Sequence, residues 1–207
     1  MMTWKFLKYA SSIFTMCLIL SGCFQSDYTK LVKSELSKGI RMDSIVFGIN
    51  LGDTNDEYFG KCYDLNKQHM ITAGPYSGTV QYDFVDSLVH DQPTSMRMLF
   101  IPVFDKNNKI IEMNLEFSYP SWAPWNELFQ SEKLKEKVLK LLMLGYKGNE
   151  FVTATINSKD YPIKLDGNRR MVVYIKDEQN VVVKIQDILH PKYQHSITKD
   201  VVPKIDI

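Results

Sequence analysis

Between residues 79 and 85 apolar and polar positions alternate with a period of two. Val80, Tyr82 and Phe84 oppose Thr79, Gln81 and Asp83. Such alternation predicts a strand with one apolar and one polar face. The period returns in KIIEMNLEFSY, where Ile111, Met113, Leu115, Phe117 and Tyr119 oppose Glu112, Asn114, Glu116 and Ser118. An antiparallel strand with one solvated face reads this way, so these four polar positions are expected to be wet. MRMLFIPVF precedes it across the turn DKNN, and IRMDSIVFGINLG reads as a short strand and turn. A second run of strands follows residue 150: FVTATI, DYPIKL, RRMVVYI and NVVVKIQDIL, with turns at DGN and KDEQ. Asp166-Gly167 is a strong hairpin signal.

A helical period occupies three other stretches. After Ser26 or Asp27 as a cap, Tyr28, Leu31, Val32 and Leu36 form one stripe, and Gly39 stops it. This helix could dock on the domain or act as a stalk. In TNDEYFGKCYDLNKQ, Thr54 and Glu57 make a capping box, which satisfies two orphan amides reciprocally. Tyr58, Phe59, Cys62, Tyr63 and Leu65 are its expected apolar face. In SEKLKEKVLKLLMLG, Ser131 is the expected cap, Leu134, Val138, Leu141 and Leu142 the stripe, and Gly145 the end. Runs of strands between helices predict an α+β fold, with helices packed on an antiparallel β-meander sheet. Helix plus meander occurs twice, which allows a structural pseudo-repeat of two such halves, although they share little sequence. The expected core includes Tyr58, Phe59, Cys62, Leu115, Phe117, Leu141, Val172 or Val173, and Val183.

The N-terminus has a different pattern. Lys5 and Lys8 precede the apolar run ASSIFTMCLIL, which ends in Ser21, Gly22 and Cys23. A basic start, a short apolar run and small residues describe a secretory signal peptide, and the run is too short to span a membrane. The tetrapeptide Leu20-Ser21-Gly22-Cys23 resembles the lipobox of bacterial lipoproteins. That resemblance implies diacylglycerol on Cys23, cleavage before it, and acylation of the new N-terminus. Stable anchoring needs more than one chain, each buried methylene contributing about 0.8 kcal/mol. The expected organisation is a removed signal over 1–22, a lipid-anchored helix or tether over 23–39, one α+β domain over 40–190, and a tail over 191–207.

Removing Cys17 with the signal and lipidating Cys23 would leave Cys62 alone, so the fold is expected to stand without an internal disulfide. Cys62 itself reads as a small buried hydrophobe rather than a reactive thiol. Removing Lys5 and Lys8 leaves 23 basic against 24 acidic side chains. A near-neutral balance argues against nucleic acid as a partner, and no basic cluster suggests a polybasic membrane patch.

The stretches GIRMDSIVFGINLG, YPSWAPWN and DGNRR, following a lipobox, resemble uncharacterised lipoproteins of Bacteroides-type bacteria over most of the mature chain. This implies an envelope location and brings no activity. INLGDTNDEY is similar to the Gly-x-Thr helix start of small outer-membrane assembly lipoproteins and of β-lactamase-inhibitor-like folds. Those place helices against an antiparallel meander and act by binding protein. Phe24 is not the acidic residue associated with inner-membrane retention, so the outer membrane is the expected site.

Candidate chemistry is sparse. His69, His90, His190 and His195 show no metal-ligand spacing, and no cofactor loop or nucleophile motif is present. No cofactor is therefore expected. His90-Asp91 reads as a solvated turn. Glu112 and Glu116 lie about 13–14 Å apart along a strand, beyond the about 5–9.5 Å of paired glycosidase carboxylates. Arg169 and Arg170 point to opposite faces; a surface ion pair is the expected role. The most unusual stretch is YPSWAPWN. Tyr119, Trp122 and Trp125 lie within seven residues held by Pro120 and Pro124, as a stiff aromatic loop able to stack on a sugar or grip a partner, or as anchors that pack the loop down.

The leading expectation is a non-catalytic, lipid-anchored envelope protein that binds a protein or glycan partner. A polysaccharide- or cell-wall-acting enzyme with carboxylates assembled by the fold is the alternative, and an outer-membrane assembly accessory a third.

Overall fold

The computed structural model describes residues 27–86, 94–156 and 159–193. Helix α1 covers Asp27–Ser37. A small hairpin, β1 (Ser44–Val46) and β2 (Ile49–Asn50), leads to α2 (Asn55–Lys67). Strands β3 (Thr72–Ala73), β4 (Val80–Asp86), β5 (Thr94–Phe104) and β6 (Ile110–Ser118) follow. A 3-10 turn at Glu127–Phe129 precedes α3 (Ser131–Gly145). The chain then forms β7 (Val152–Ile156), β8 (Lys159–Asp166), β9 (Arg169–Ile175) and β10 (Val181–Asp187). The fold is α+β, with one eight-stranded sheet in the order β3-β4-β5-β6-β10-β9-β8-β7.

That order explains the repeated helix-plus-meander pattern. Each half is a helix followed by four strands, and the last strands, β6 and β10, pair antiparallel at the centre, with Val183 opposite Leu115. An approximate two-fold axis normal to the sheet relates the halves, so α2 and α3 fall on the same face. On this near face Tyr58 and Cys62 of α2 and Leu134, Val138 and Leu142 of α3 join Met96, Phe100, Met113, Leu115, Phe117, Val173, Val183 and Ile185 in one core. Burying each such aliphatic side chain contributes about 1.5–3 kcal/mol.

The β1–β2 hairpin packs into the same layer. Its turn places Phe47 at φ 49° and Gly48 at φ 77°, the signs a type I′ turn requires at both central positions. Phenylalanine is strained there, and its ring packs edge-on against Tyr82 with centroids 4.8 Å apart.

The capping box forms as expected. Glu57 N donates to Thr54 Oγ1 at 3.3 Å, and Thr54 N donates to Glu57 Oε2 at 2.8 Å. The apolar face of α2 is narrower than its composition suggested. Tyr58, Cys62 and Leu65 form a line that meets the sheet, while Phe59 is 43% and Tyr63 61% exposed. Residues 59 and 63 lie one step, about 100°, around the helix, outside the line of contact. Ser131 does not cap α3. Gln130 holds that position without a side-chain cap bond, Ser131 is the first helical residue, and its N–H donates to Glu178 O at 3.1 Å.

Helix α1 is not a detached stalk. It lies on the opposite, far face of the sheet, where Val32 is fully buried among Ala154, Tyr161, Ile163, Leu165, Val172 and Val182. The expected boundary between residues 23–39 and the domain therefore does not separate two units where they are described. The chain then crosses to the near face beside the β8–β9 turn. Gly167 takes φ +57° there, and a Cβ on it would come within 2.2 Å of Ile40 O. Fully buried Asn168 accepts from Met42 N at 2.6 Å and donates to Asp43 and Asp187. The described part of the expected tail, residues 191–193, is joined to the domain: Tyr193 is 5% exposed and bonded into the fold.

Candidate functional site

Alternation along β6 and β10 sends one set of side chains to the core and the other to the far face. Register places Gln186 opposite Glu112, Lys184 opposite Asn114 and Val182 opposite Glu116. On the other side of β6, Val103, Ile101 and Leu99 stand opposite the same three residues. Tyr174 and Lys176, at the end of β9, and Lys192 and Tyr193, after β10, rise around these columns. With Ile101 and the β6 and β10 residues of these columns, they line a cavity of about 310 Å³. Helix α1 covers β7–β10 on this face. Among the described residues no helix covers β4–β6, where Val85 is 63% exposed.

The expectation of a wet face at Glu112 and Glu116 is corrected. They are 6% and 9% exposed, because long side chains from β10, β9 and the C-terminal turn lie across them. Glu112 Oε2 accepts from Gln186 Nε2 at 2.6 Å and from Tyr193 OH at 2.7 Å. Its Oε1 accepts from Asn114 Nδ2 at 3.2 Å, with Lys184 Nζ 3.8 Å away. Burial alone would raise the Glu112 carboxyl. The Gln186 bond, the Lys184 charge and the Tyr193 hydroxyl outweigh it and hold the group below its ordinary range. The same environment pushes the phenols up: burial, then Glu112 and Glu116, raise Tyr174 to about 12, and burial and Glu112 raise Tyr193 further. Glu116 Oε2 pairs with Lys176 Nζ at 2.8 Å.

The network continues under the cavity. Gln186 Oε1 accepts from Arg170 Nε at 2.9 Å and Nη2 at 2.6 Å, and Arg170 Nη1 donates to Tyr28 OH on α1 at 2.7 Å. Arg170 is 1% exposed, so a surface ion pair is the wrong description. Arg169 is also buried, on the near face. It bonds Asp166 at 3.2 Å and Ser44 O at 2.7 Å, with Tyr146 beneath the guanidinium. Among the described residues, Asn114 Oδ1 is a buried cavity-lining acceptor with no hydrogen-bond partner. Because Asn114 Nδ2 is held by Glu112, the oxygen is turned away from that carboxylate.

The aromatic candidates separate. Tyr119 is 2% exposed, stacked on Phe129 with centroids 4.6 Å apart, and its hydroxyl accepts from Lys137 at 3.0 Å. Trp122 is half-buried against the near-face core, and its buried Nε1 has no partner among the described residues. Trp125 is 84% exposed. Gln130 Nε2 lies within hydrogen-bond distance of Ala123 O, Pro124 O and Asn126 O, and this pins the loop. None of the three lines the cavity.

Cys23, His90 and His195 lie outside the described residues. His69 is exposed at the end of α2, and His190 Nε2 stands 3.5 Å from Asp105. Among the described residues no group of three or more His, Cys, Asp or Glu side chains could hold a metal ion. Burial pushes the Cys62 thiol up, away from a thiolate. No described helix is long and apolar enough to cross a membrane.

Sequence reasoning missed Lys176, Lys184, Gln186 and Tyr193. One signal was present: in VVVKIQ, Val182, Lys184 and Gln186 alternate with Val181, Val183 and Ile185. Comparison with protein-family models, with curated proteins and with solved structures finds no match for this chain.

Proposed function

We propose that this protein is a lipid-anchored component of a bacterial cell envelope, held at the outer membrane through Cys23, and that it binds a protein or glycan partner on the far face of its sheet. The observation that carries this reading is the unequal treatment of the two faces. The near face is closed by α2, α3 and the hairpin. The far face has a helix over one half and a polar cavity at its centre. Concave sites with a few convergent polar groups fixed on a rigid scaffold are the usual form of a small-ligand site.

Binding fits the cavity better than general-acid catalysis by Glu112. A general acid needs a raised carboxyl, whereas Glu112 is held ionised by its neighbours. Envelope placement rests on the lipobox and signal pattern at residues 1–23. Helix α1 starts only four residues beyond Cys23, and four extended residues span at most about 14 Å. A lipid on Cys23 would hold the domain close to the membrane.

Affinity capture from intact envelope, with crosslinking, tests the reading. Val85→Glu with Arg97→Glu, or Lys192→Glu, changes the far face at residues that are not fully buried. We expect at least one of these to reduce capture while the melting temperature holds. Capture that survives both, and falls only with changes at Trp125 or Phe59 on other surfaces, overturns the far face as the binding surface.

A further inference from the structure

We propose that the central cavity binds an acidic sugar, meaning a sugar ring that carries an oxyanion beside free hydroxyls. This rests on reading the far face as the binding surface and names the class of ligand its cavity takes.

Charge comes first. Three ammonium groups, Lys176, Lys184 and Lys192, line the cavity with two carboxylates, Glu112 and Glu116. Arg170 lies behind Gln186 and adds a further positive charge. The carboxylates are occupied by the protein's own donors. Glu112 takes Gln186, Tyr193 and Asn114, and Glu116 takes Lys176. Glu112 is thus filled by three donors, and the charge of Glu116 is offset by Lys176. Lys192, by contrast, is exposed at the rim. Its recorded contact is with the Tyr193 ring, 5.3 Å from the centroid, and it has no carboxylate within salt-bridge distance among the described residues. The cavity therefore favours an anion, placed at the Lys192 side.

The neutral groups specify the rest. Asn114 Oδ1 is a buried acceptor without a donor. A flipped amide would turn its oxygen onto the Glu112 carboxylate, so the present orientation is fixed by charge. That oxygen can accept an O–H or N–H from a ligand, and a ligand that buries it without supplying a donor leaves a costly unsatisfied acceptor. Ile101, Val182 and the Tyr174 ring supply apolar wall between these polar groups. A sugar ring presents this combination: hydroxyl donors on its edge, C–H groups on its face, and an acid group at one carbon. A fatty acid lacks the hydroxyl for Asn114, and a neutral sugar lacks the anion for Lys192. The cavity volume, about 310 Å³, lies at the lower end of the range for small-molecule sites and suits a short segment rather than a long chain.

The anion can be the carboxylate of a uronic acid or the phosphate of a phosphorylated sugar. Both present oxyanions to an ammonium group, and the experiment separates the two. Full-length protein in detergent is titrated calorimetrically with tri-galacturonate, with galactose 1-phosphate and with neutral tri-galactose. At least one acid is expected to bind at least about tenfold more tightly than the neutral sugar, and the one that binds identifies the source. Lys192→Glu should weaken that binding by about tenfold or more, a difference of about 1.4 kcal/mol, and added salt should weaken it in the wild type. Asn114→Leu should weaken it too. If Asn114→Leu fails to fold, the Lys192 variant still decides. Equal binding of acid and neutral sugars, no binding of either acid, or unchanged affinity in Lys192→Glu overturns the proposal. The far-face reading fails separately: it falls only if envelope capture is also indifferent to Lys192→Glu and to Val85→Glu with Arg97→Glu.

Discussion

Replacing Glu112 by Gln keeps the side-chain shape and removes one buried charge. In the wild type this carboxylate accepts from Gln186, Tyr193 and Asn114, and Lys184 Nζ stands 3.8 Å away. A glutamine offers a single acceptor oxygen and turns an NH2 group towards donors. At least one of the three bonds is lost. A buried donor left without its acceptor costs about 1–3 kcal/mol, and breaking a buried ion pair costs about 3–5 kcal/mol. The Lys184 contact is long, and Arg170 reaches Glu112 only through Gln186, so the full ion-pair figure does not apply. We expect a loss of about 2–4 kcal/mol at pH 7, measured by urea denaturation with an unchanged m-value. The pH dependence has a definite sign. The folded carboxyl titrates below its ordinary range, so on acidification the unfolded chain takes up this proton first. Stability from ionised Glu112 is present above the ordinary carboxylate range and is lost as pH falls through the depressed folded value. The gap between wild type and Glu112→Gln should be flat from about pH 7 to about pH 5 and close below about pH 4. Equal stability at pH 7, or a gap that widens in acid, refutes the network as described.

Gly167→Ala should lower stability by at least about 2 kcal/mol, because its Cβ would meet Ile40 O at 2.2 Å at a positive φ; a thermal melt like that of the wild type would mean residues 40–43 do not cross there. Trp125→Ala should change stability by no more than about 0.5 kcal/mol given its exposure. Trp122→Ala should cost about 2–3 kcal/mol, below the about 3–5 of a fully buried tryptophan, and a reversed order in denaturation midpoints contradicts the loop's placement. Cys23→Ser should abolish incorporation of labelled palmitate and leave unprocessed precursor; label in the variant refutes the lipobox.

The near face was legible because its signal is local. Met113, Leu115 and Phe117 alternate within one strand, and Leu134, Val138 and Leu142 recur within one helix, so period alone puts them in the core. On α2, where one broad apolar face was expected, contact with the sheet is narrower: it takes Tyr58 and Cys62 and leaves Phe59 and Tyr63 in solvent. The far face was misread for a deeper reason. Glu112, Asn114 and Glu116 look like a wet edge when β6 is read alone. They are covered by side chains such as Gln186 and Tyr193, which lie 74 and 81 residues further along the chain. Polarity of a position is written in one strand, but burial on an antiparallel sheet belongs to columns of paired residues. Those columns exist only once β6 meets β10 and the two meanders become one sheet. The aromatic loop at residues 119–126 drew attention because tryptophans are conspicuous one at a time. A site made from ordinary lysine, glutamate and asparagine has no such mark until long-range register assembles it. Chain-local pattern therefore finds the scaffold of a protein like this one, and the polar cavity follows from the pairing of its two halves.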